Sequence, residues 1–365
     1  MNVNQITYPN ETERFLYLDS ARGIAALSVL IGHFLDYRLS GNFYFNLECT
    51  IINSGDAVSF FFVLSGFVLS YKYLNSDKNL NVKEFYLRRI LRIYPGYIFA
   101  VLTLFLSYNQ HGILFSIFKE LFYYNKQNLW NELLLVRGNH NFYPPGWSLE
   151  IEMAFSFLMP ILILCAQKNI KAIISIIPIC YFVGVPYIST WVVHFGLGMI
   201  AAYYYSSIKN FDFSKSKFYP FRWLIFILTY FLYSMRYFDK NLYFSENIYY
   251  RTFCLYTKFD FFQFSAYASF IILLWILNNT KTQKILSAKL LVFLGKISYG
   301  IYLMHFIVMI IILKNQDSLM PYLKNELTFI SIMLPVSIFV TILLATAVYN
   351  FIEKPFIHWG KKFYN

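Results

Sequence analysis

The sequence predicts an all-α, polytopic integral membrane protein: a helical bundle of about ten transmembrane helices with both termini cytoplasmic. Three observations predict it. The chain is 58% hydrophobic and 21% aromatic, with mean hydropathy +0.48. Only 14% of its residues are charged, where a soluble domain carries about a quarter. Apolar stretches of near-membrane length recur from one end to the other, without the alternating pattern of an outer-membrane barrel.

The spans expected from these stretches run approximately 16–37, 57–75, 93–110, 146–166, 171–188, 190–207, 222–238, 261–278, 290–313 and 328–350. The fifth and sixth nearly touch around Pro186. The distribution of charge orients them. With the N-terminus inside, about 21 of the 31 Lys and Arg residues fall on the inner side, the bias that positive-inside topology produces. The net charge of +12 is thereby explained through topology and contact with anionic membrane lipid. No basic patch in a soluble context points to nucleic acid. The first fourteen residues are polar and lead to no cleavage site, so no signal peptide is expected. The chain ends shortly after its last expected span, so no appended soluble domain is expected there. The four cysteines show no CxxC or zinc spacing. Cys49 and Cys254 both fall on expected outer loops, which leaves a disulfide open.

The first span carries the strongest functional signal. Arg22 and His33 lie inside it, where ionisable groups are costly and normally face a cavity or pathway. They are eleven residues apart. At ~100° and ~1.5 Å per residue, that is about 20° past three turns and ~16 Å along the axis. Both side chains therefore share one helix face at different depths, and Asp19 falls roughly on the same face.

The second span contains Phe60-Phe61-Phe62-Val63-Leu64-Ser65-Gly66-Phe67. Its Ser-Gly pair reads first as a notch for a neighbouring helix and second as a site feature. The loop before the third span carries Arg88, Arg89 and Arg92. Such a group can grip phosphates through bidentate bonds or anchor to lipid headgroups. The large outer loop, roughly 109–145, is aromatic and polar and is a candidate acceptor contact. It ends at Tyr143-Pro144-Pro145-Gly146-Trp147-Ser148-Leu149 and feeds Glu150 and Glu152 into the fourth span. Glu152 lies about one and a half turns in, and its burial needs a partner. His33 is also toward the outer end of its span, so a histidine and a carboxylate could meet at similar depth, as a general base with an orienting acid does. The ninth span holds Ser298-Tyr299-Gly300-Ile301-Tyr302-Leu303-Met304-His305, and Glu353-Lys354-Pro355-Phe356 follows the tenth. His194 and His305 are intramembrane and read first as packing residues. His111, His140 and His358 fall in loops or near ends. No histidine has metal-ligand spacing, so no metal is expected.

Taken together and in order, these segments resemble acyltransferase family three, the bacterial multi-pass O-acyltransferases of surface polysaccharides. The matching pieces are Arg22-Gly23 with His33, the Phe-Val-Leu-Ser-Gly-Phe run, the Arg-Arg-x-x-Arg-x-x-Pro loop, Trp-Ser-Leu-x-x-Glu, Tyr-Gly-Ile-Tyr-Leu-x-His and Glu-Lys-Pro-Phe. The resemblance spans residues 15–357, which makes that stretch the transmembrane acyltransferase domain. Residues 1–14 and 358–365 become short cytoplasmic tails. It implies a ten-helix enzyme of the bacterial cytoplasmic membrane. Such an enzyme takes an acyl group, usually acetyl, from acetyl-CoA or another acyl-CoA and gives it to a hydroxyl of a cell-surface or lipid-linked glycan. Residue by residue, it implies His33, Glu152 and Arg22 as catalytic. Arg88, Arg89 and Arg92 would bind the CoA phosphates. Trp147, Ser148, Ser65 and His305 are candidate substrate contacts. His33 would act as base or as transient acyl carrier. Glu152 would orient the acceptor or raise the basicity of His33. Arg22 would guide the pantetheine arm or polarise the thioester. Two positions depart from the family pattern. Ser59 stands where members often have an acidic residue, with Asp56 one turn earlier, and Glu150 occupies a variable position. The competing reading is a transporter or flippase of glycan or lipid intermediates, because polar faces inside a bundle would serve a translocation path equally well. Oligomeric state is not legible.

Overall fold

The computed structural model describes residues 15–39, 52–76, 79–108, 132–135, 143–183, 188–242, 262–323 and 325–363. Every regular element among them is helical. In chain order these are α1 (Leu16–Leu39), α2 (Ser54–Leu74), α3 (Val82–Tyr108), α4 (Gly146–Lys168), α5 (Ile170–Val183), α6 (Ile188–Tyr203), α7 (Tyr205–Asn210) and α8 (Arg222–Leu242). They continue with α9 (Phe262–Asn278), α10 (Thr280–Leu286), α11 (Lys289–Lys296), α12 (Ser298–Lys314), α13 (Gln316–Leu323), α14 (Glu326–Val348) and α15 (Lys354–Lys362). Cys49, Cys254, His111, His140 and most of the 109–145 loop lie outside the described residues.

The protein is a multi-pass membrane protein, with fewer full-length spans among the described residues than the ten expected. Four of α1–α15 cross by length and apolarity on their own, namely α1 to α4, and the stretch Glu326–Lys362 makes a fifth. Helices α11 and α12 count as a sixth if taken as one span bent by 68°. The expected fifth, sixth and eighth spans form shorter apolar helices, Ile170–Ile179, Trp191–Tyr203 and Phe264–Asn278. The expected seventh lies in α8, which is not among the candidate spans found in the described residues.

Two backbone crossings set the geometry around the site. Helix α2 lies in the middle, buried along most of its length, and meets α6 where both carry glycine. A Cβ on Gly66 would strike the Phe195 carbonyl, and one on Gly198 would strike the Val63 carbonyl. Small residues at such a crossing let backbones touch, the main source of helix association where lipid removes the hydrophobic drive. Phe155 of α4 stacks on Phe195 with ring centroids 4.4 Å apart, tying a third helix to the crossing. The second crossing joins α1 to α11: a Cβ on Gly23 would sit 2.7 Å from the Gly295 nitrogen, and one on Gly295 would meet the Asp19 backbone.

That second crossing accounts for a departure from the expected ninth span, 290–313, which reads as continuous by hydropathy. The chain bends at Ile297, held at Gly295 against α1, and Ser298 Oγ donates to the Gly295 carbonyl at 2.9 Å to close the first turn of α12. The tenth span, expected to stop near 350, continues through a π turn at Tyr349–Glu353 into α15. Pro355 has no N–H and its ring crowds the carbonyl four residues back. Widening the preceding turn accommodates both effects. Helix α15 folds against α3, with Gly360 over Leu91.

Candidate active site

A cavity enclosing about 660 Å³, counting its open mouth, lies between α1, α2, α3, α4 and α12. Arg22 enters it from α1. Val58, Phe61, Phe62 and Ser65 come from α2, and Arg89, Arg92 and Ile93 from α3. Ser148, Leu149 and Glu152 come from α4, and Ser298, Tyr299 and Tyr302 from α12. Three guanidinium groups thus face one carboxylate in a pocket otherwise walled by aromatic, aliphatic and serine side chains. The surplus of positive charge suits an anionic ligand, and arginine forks suit phosphate or carboxylate in particular.

The three arginines of the α3 motif occupy different positions. Arg89 Nη2 donates to Glu152 Oε1 at 2.5 Å and Arg89 Nε donates to Ser156 Oγ at 3.0 Å. Ser156 Oγ in turn donates to the Glu152 carbonyl at 2.6 Å. Arg89 and Glu152 therefore fix each other as a rigid wall. Arg88 pairs with Glu84 one turn earlier on the same helix, is 45% exposed, and is not among the cavity-lining residues. Arg92 lines the cavity and makes no hydrogen bond or ion pair with another described residue. Arg22 is 17% exposed, with Asp19 Oδ1 3.6 Å from its Nη1. Its electrostatic neighbours include Arg92, Glu152 and Arg89.

The expected pairing of His33 with Glu152 is replaced by two separate pairs. Glu152 is held by Arg89. His33 Nδ1 lies 3.1 Å from His305 Nε2, with the two rings stacked 5.4 Å apart. The reason is helix rotation: α12 turns His305 toward α1, while α4 turns Glu152 toward α3. His305 Nδ1 is 2.6 Å from the Tyr302 carbonyl. Tyr302 also lines the cavity, and its hydroxyl shares a 2.5 Å hydrogen bond with Ser148 Oγ. Tyr302 is thus the physical link between the cationic cavity and the histidine pair.

The remaining candidates divide along the same lines. Ser65 faces the cavity, while the adjacent Gly66 supplies the notch against α6. Trp147 is outside the lining set and packs on Phe62 and Trp191. Glu150 is buried but does not line the cavity. His194 Nε2 is 3.1 Å from Ser59 Oγ, which hydrogen-bonds Ser265 Oγ at 2.7 Å, so the serine at the departing position belongs to a polar seam between α2, α6 and α9. His358 is exposed and bonds the Lys354 carbonyl. Among the described residues no cluster of His, Cys, Asp or Glu could hold a metal.

Sequence reasoning missed Tyr299, Tyr302, Ser156 and Glu353. Tyr299 lines the cavity and donates to the Ile93 carbonyl at 2.6 Å. Glu353, 2% exposed in the π turn, has Arg92 as an electrostatic neighbour. For the tyrosines a signal was present. Residues 299, 302 and 305 are spaced by three, which places them on one helix face.

A family model described as an acyltransferase domain matches residues 15–346. "Putative O-acetyltransferase" proteins of Staphylococcus aureus, strains COL and N315 among them, are each 26% identical over 393 residues, covering 95% of this chain and 58% of the relative. "Putative peptidoglycan O-acetyltransferase YrhL" of Bacillus subtilis (strain 168) is 25% identical over 372 residues, covering 93% of this chain and 54% of that protein. The chain thus spans a little over half the length of these relatives. No solved structure matches it.

Proposed function

The chain belongs to acyltransferase family three, whose model spans nearly all of it, and from that premise we propose that it is an O-acetyltransferase of the bacterial cytoplasmic membrane. In this reading it moves an acetyl group from acetyl-CoA on the cytoplasmic side to a hydroxyl of a cell-surface or lipid-linked glycan. The observation that carries the reading is the arginine-lined cavity joined through Tyr302 to a histidine pair, the buried His305 and the half-buried His33. The relative named for peptidoglycan supports a glycan acceptor.

Transfer from a thioester to an alcohol needs a held donor, a deprotonated nucleophile and a stabilised oxyanion. Arg92 holds the donor anion, and Arg89 acts mainly by keeping Glu152 in place. His33 takes the proton as the hydroxyl oxygen bonds to the thioester carbon. Collapse of the tetrahedral intermediate breaks the C–S bond, and the departing thiolate takes the proton from His33, giving free CoA and restoring the neutral imidazole. Arg22 stabilises the charge that develops on the carbonyl oxygen. Both termini lie in the cytoplasm in this account.

One observation favours the transporter reading: the bend between α11 and α12 resembles the broken helices at transporter sites. Cells expressing the protein or an empty vector separate the readings, with base-releasable acetate measured on purified envelope glycan. The acetyltransferase reading expects acetate above background only with the protein. Equal acetate in both cultures, together with protein-dependent appearance of lipid-linked glycan at the outer face, would favour the transporter.

A further inference from the structure

The two contacts of His305 define more than packing. The Tyr302 carbonyl has no hydrogen to give, so at 2.6 Å His305 Nδ1 must be the donor. A neutral His305 then has its lone pair on Nε2. That atom faces His33 Nδ1 at 3.1 Å, so the hydrogen between the rings must sit on His33 Nδ1. A neutral His33 with Nδ1 protonated carries its lone pair on Nε2. The arrangement is a chain of one-way donations, from His33 to His305 to the α12 backbone, with its polarity set by a carbonyl that can only accept.

We propose that His305 is a positioning residue that holds His33 in the Nδ1–H tautomer and in a fixed ring orientation, so that Nε2 is the atom presented as base. This rests on the reading of His33 as the base. It gives His305 the part that a carboxylate plays in a hydrolase triad, where the wrong tautomer of a well-placed histidine is nearly inert. A neutral imidazole does this without adding a negative charge beside an anionic donor. The backbone position of the Tyr302 carbonyl on α12 makes the orientation rigid: His305 is 1% exposed and its acceptor is one helical turn away.

The test is 15N magnetic resonance of the full chain labelled at histidine, in lipid nanodiscs at pH 8, with His33 assigned by loss of its signals in His33→Ala. The wild type should show His33 protonated at Nδ1 and bare at Nε2. In His305→Leu, His33 should shift toward the Nε2–H form. CoA release from acetyl-CoA should then fall roughly 10- to 100-fold, the loss typical when an orienting partner of a functional histidine is removed, with CoA affinity unchanged. His305→Gln, whose carboxamide oxygen can accept from His33 Nδ1–H, should keep the tautomer and recover most of the rate. Nε2–H His33 in the wild type, a doubly protonated ring in the pair, or an unchanged tautomer in His305→Leu would each overturn the proposal, whether or not turnover is seen. If the tautomers behave as stated but His33→Ala still releases CoA at the wild-type rate, the role of His305 in holding the ring stands and the assignment of His33 as base fails.

Discussion

Replacing the three α3 arginines one at a time by glutamine should produce three different defects, because the structure gives each a different environment. Arg92 lines the cavity with no described hydrogen-bond or ion-pair partner. A hydrogen bond to a charged group contributes about 1.5–3 kcal/mol, and ~1.4 kcal/mol is a tenfold change in Kd. Arg92→Gln should therefore weaken CoA binding roughly 10- to 100-fold while leaving thermal stability near wild type. Arg89→Gln removes the partner of Glu152. Breaking a fully buried pair costs about 3–5 kcal/mol, but Glu152 is 23% exposed and keeps Arg22 as an electrostatic neighbour. About 2 kcal/mol of stability should be lost, most of it recovered when Glu152→Gln is added, as coupled neighbours require. Arg88→Gln breaks only a half-exposed pair within one helix, worth about 0–1 kcal/mol, and should leave CoA affinity within about twofold. Calorimetric titration of CoA into nanodisc-embedded protein, paired with thermal melts, reads all three. An Arg88→Gln defect as large as that of Arg92→Gln, or an Arg92→Gln Kd within about twofold of wild type, would refute the reasoning.

Two further substitutions test the fold and the link to the histidines. Gly66→Ala forces a methyl into the Phe195 backbone and should lower stability by about 1–3 kcal/mol or more. Gly96→Ala meets only side-chain atoms of Tyr299 and Leu303, at 3.0 and 3.2 Å, and should cost less; equal melting points for the two variants would contradict the α2–α6 crossing. Tyr302→Phe removes the hydroxyl shared with Ser148 but spares the carbonyl that holds His305, so it should cost about 0.5–1.5 kcal/mol and leave CoA release within a few-fold. A collapse of turnover as deep as that of His33→Ala would make the phenol, rather than the carbonyl, the group that matters.

Much of this was legible in the sequence at the level of composition and helix phase. Low charge and long apolar runs identify a helical membrane bundle, and Arg22 of the first span lines a cavity, while His33, expected on the same face, is not among the lining residues and meets His305. Six of the ten candidate site residues line that cavity: Arg22, Ser65, Arg89, Arg92, Ser148 and Glu152. Partner choice was not legible. Matching residues by depth offers Glu152 to His33, but the rotation of each helix about its axis decides the contact, and His33 meets a residue 272 positions away. Nor does spacing alone separate Arg92 from Arg88, since both recur on nearby faces of one helix and only the packing of α4 and α12 shows which side is enclosed. The bend at Ile297 is invisible to hydropathy because its cause is backbone contact between Gly295 and α1.

The most direct test of the central claim is acetyl-CoA turnover by the purified protein and by His33→Ala, followed as free CoA, with CoA affinity measured on the same samples. Loss of a general base lowers rate by about 10²–10⁴-fold, so the variant should bind CoA as wild type does and release it at least a hundredfold more slowly. Wild-type release from His33→Ala, with binding intact, would contradict the account and move the chemistry elsewhere in the bundle.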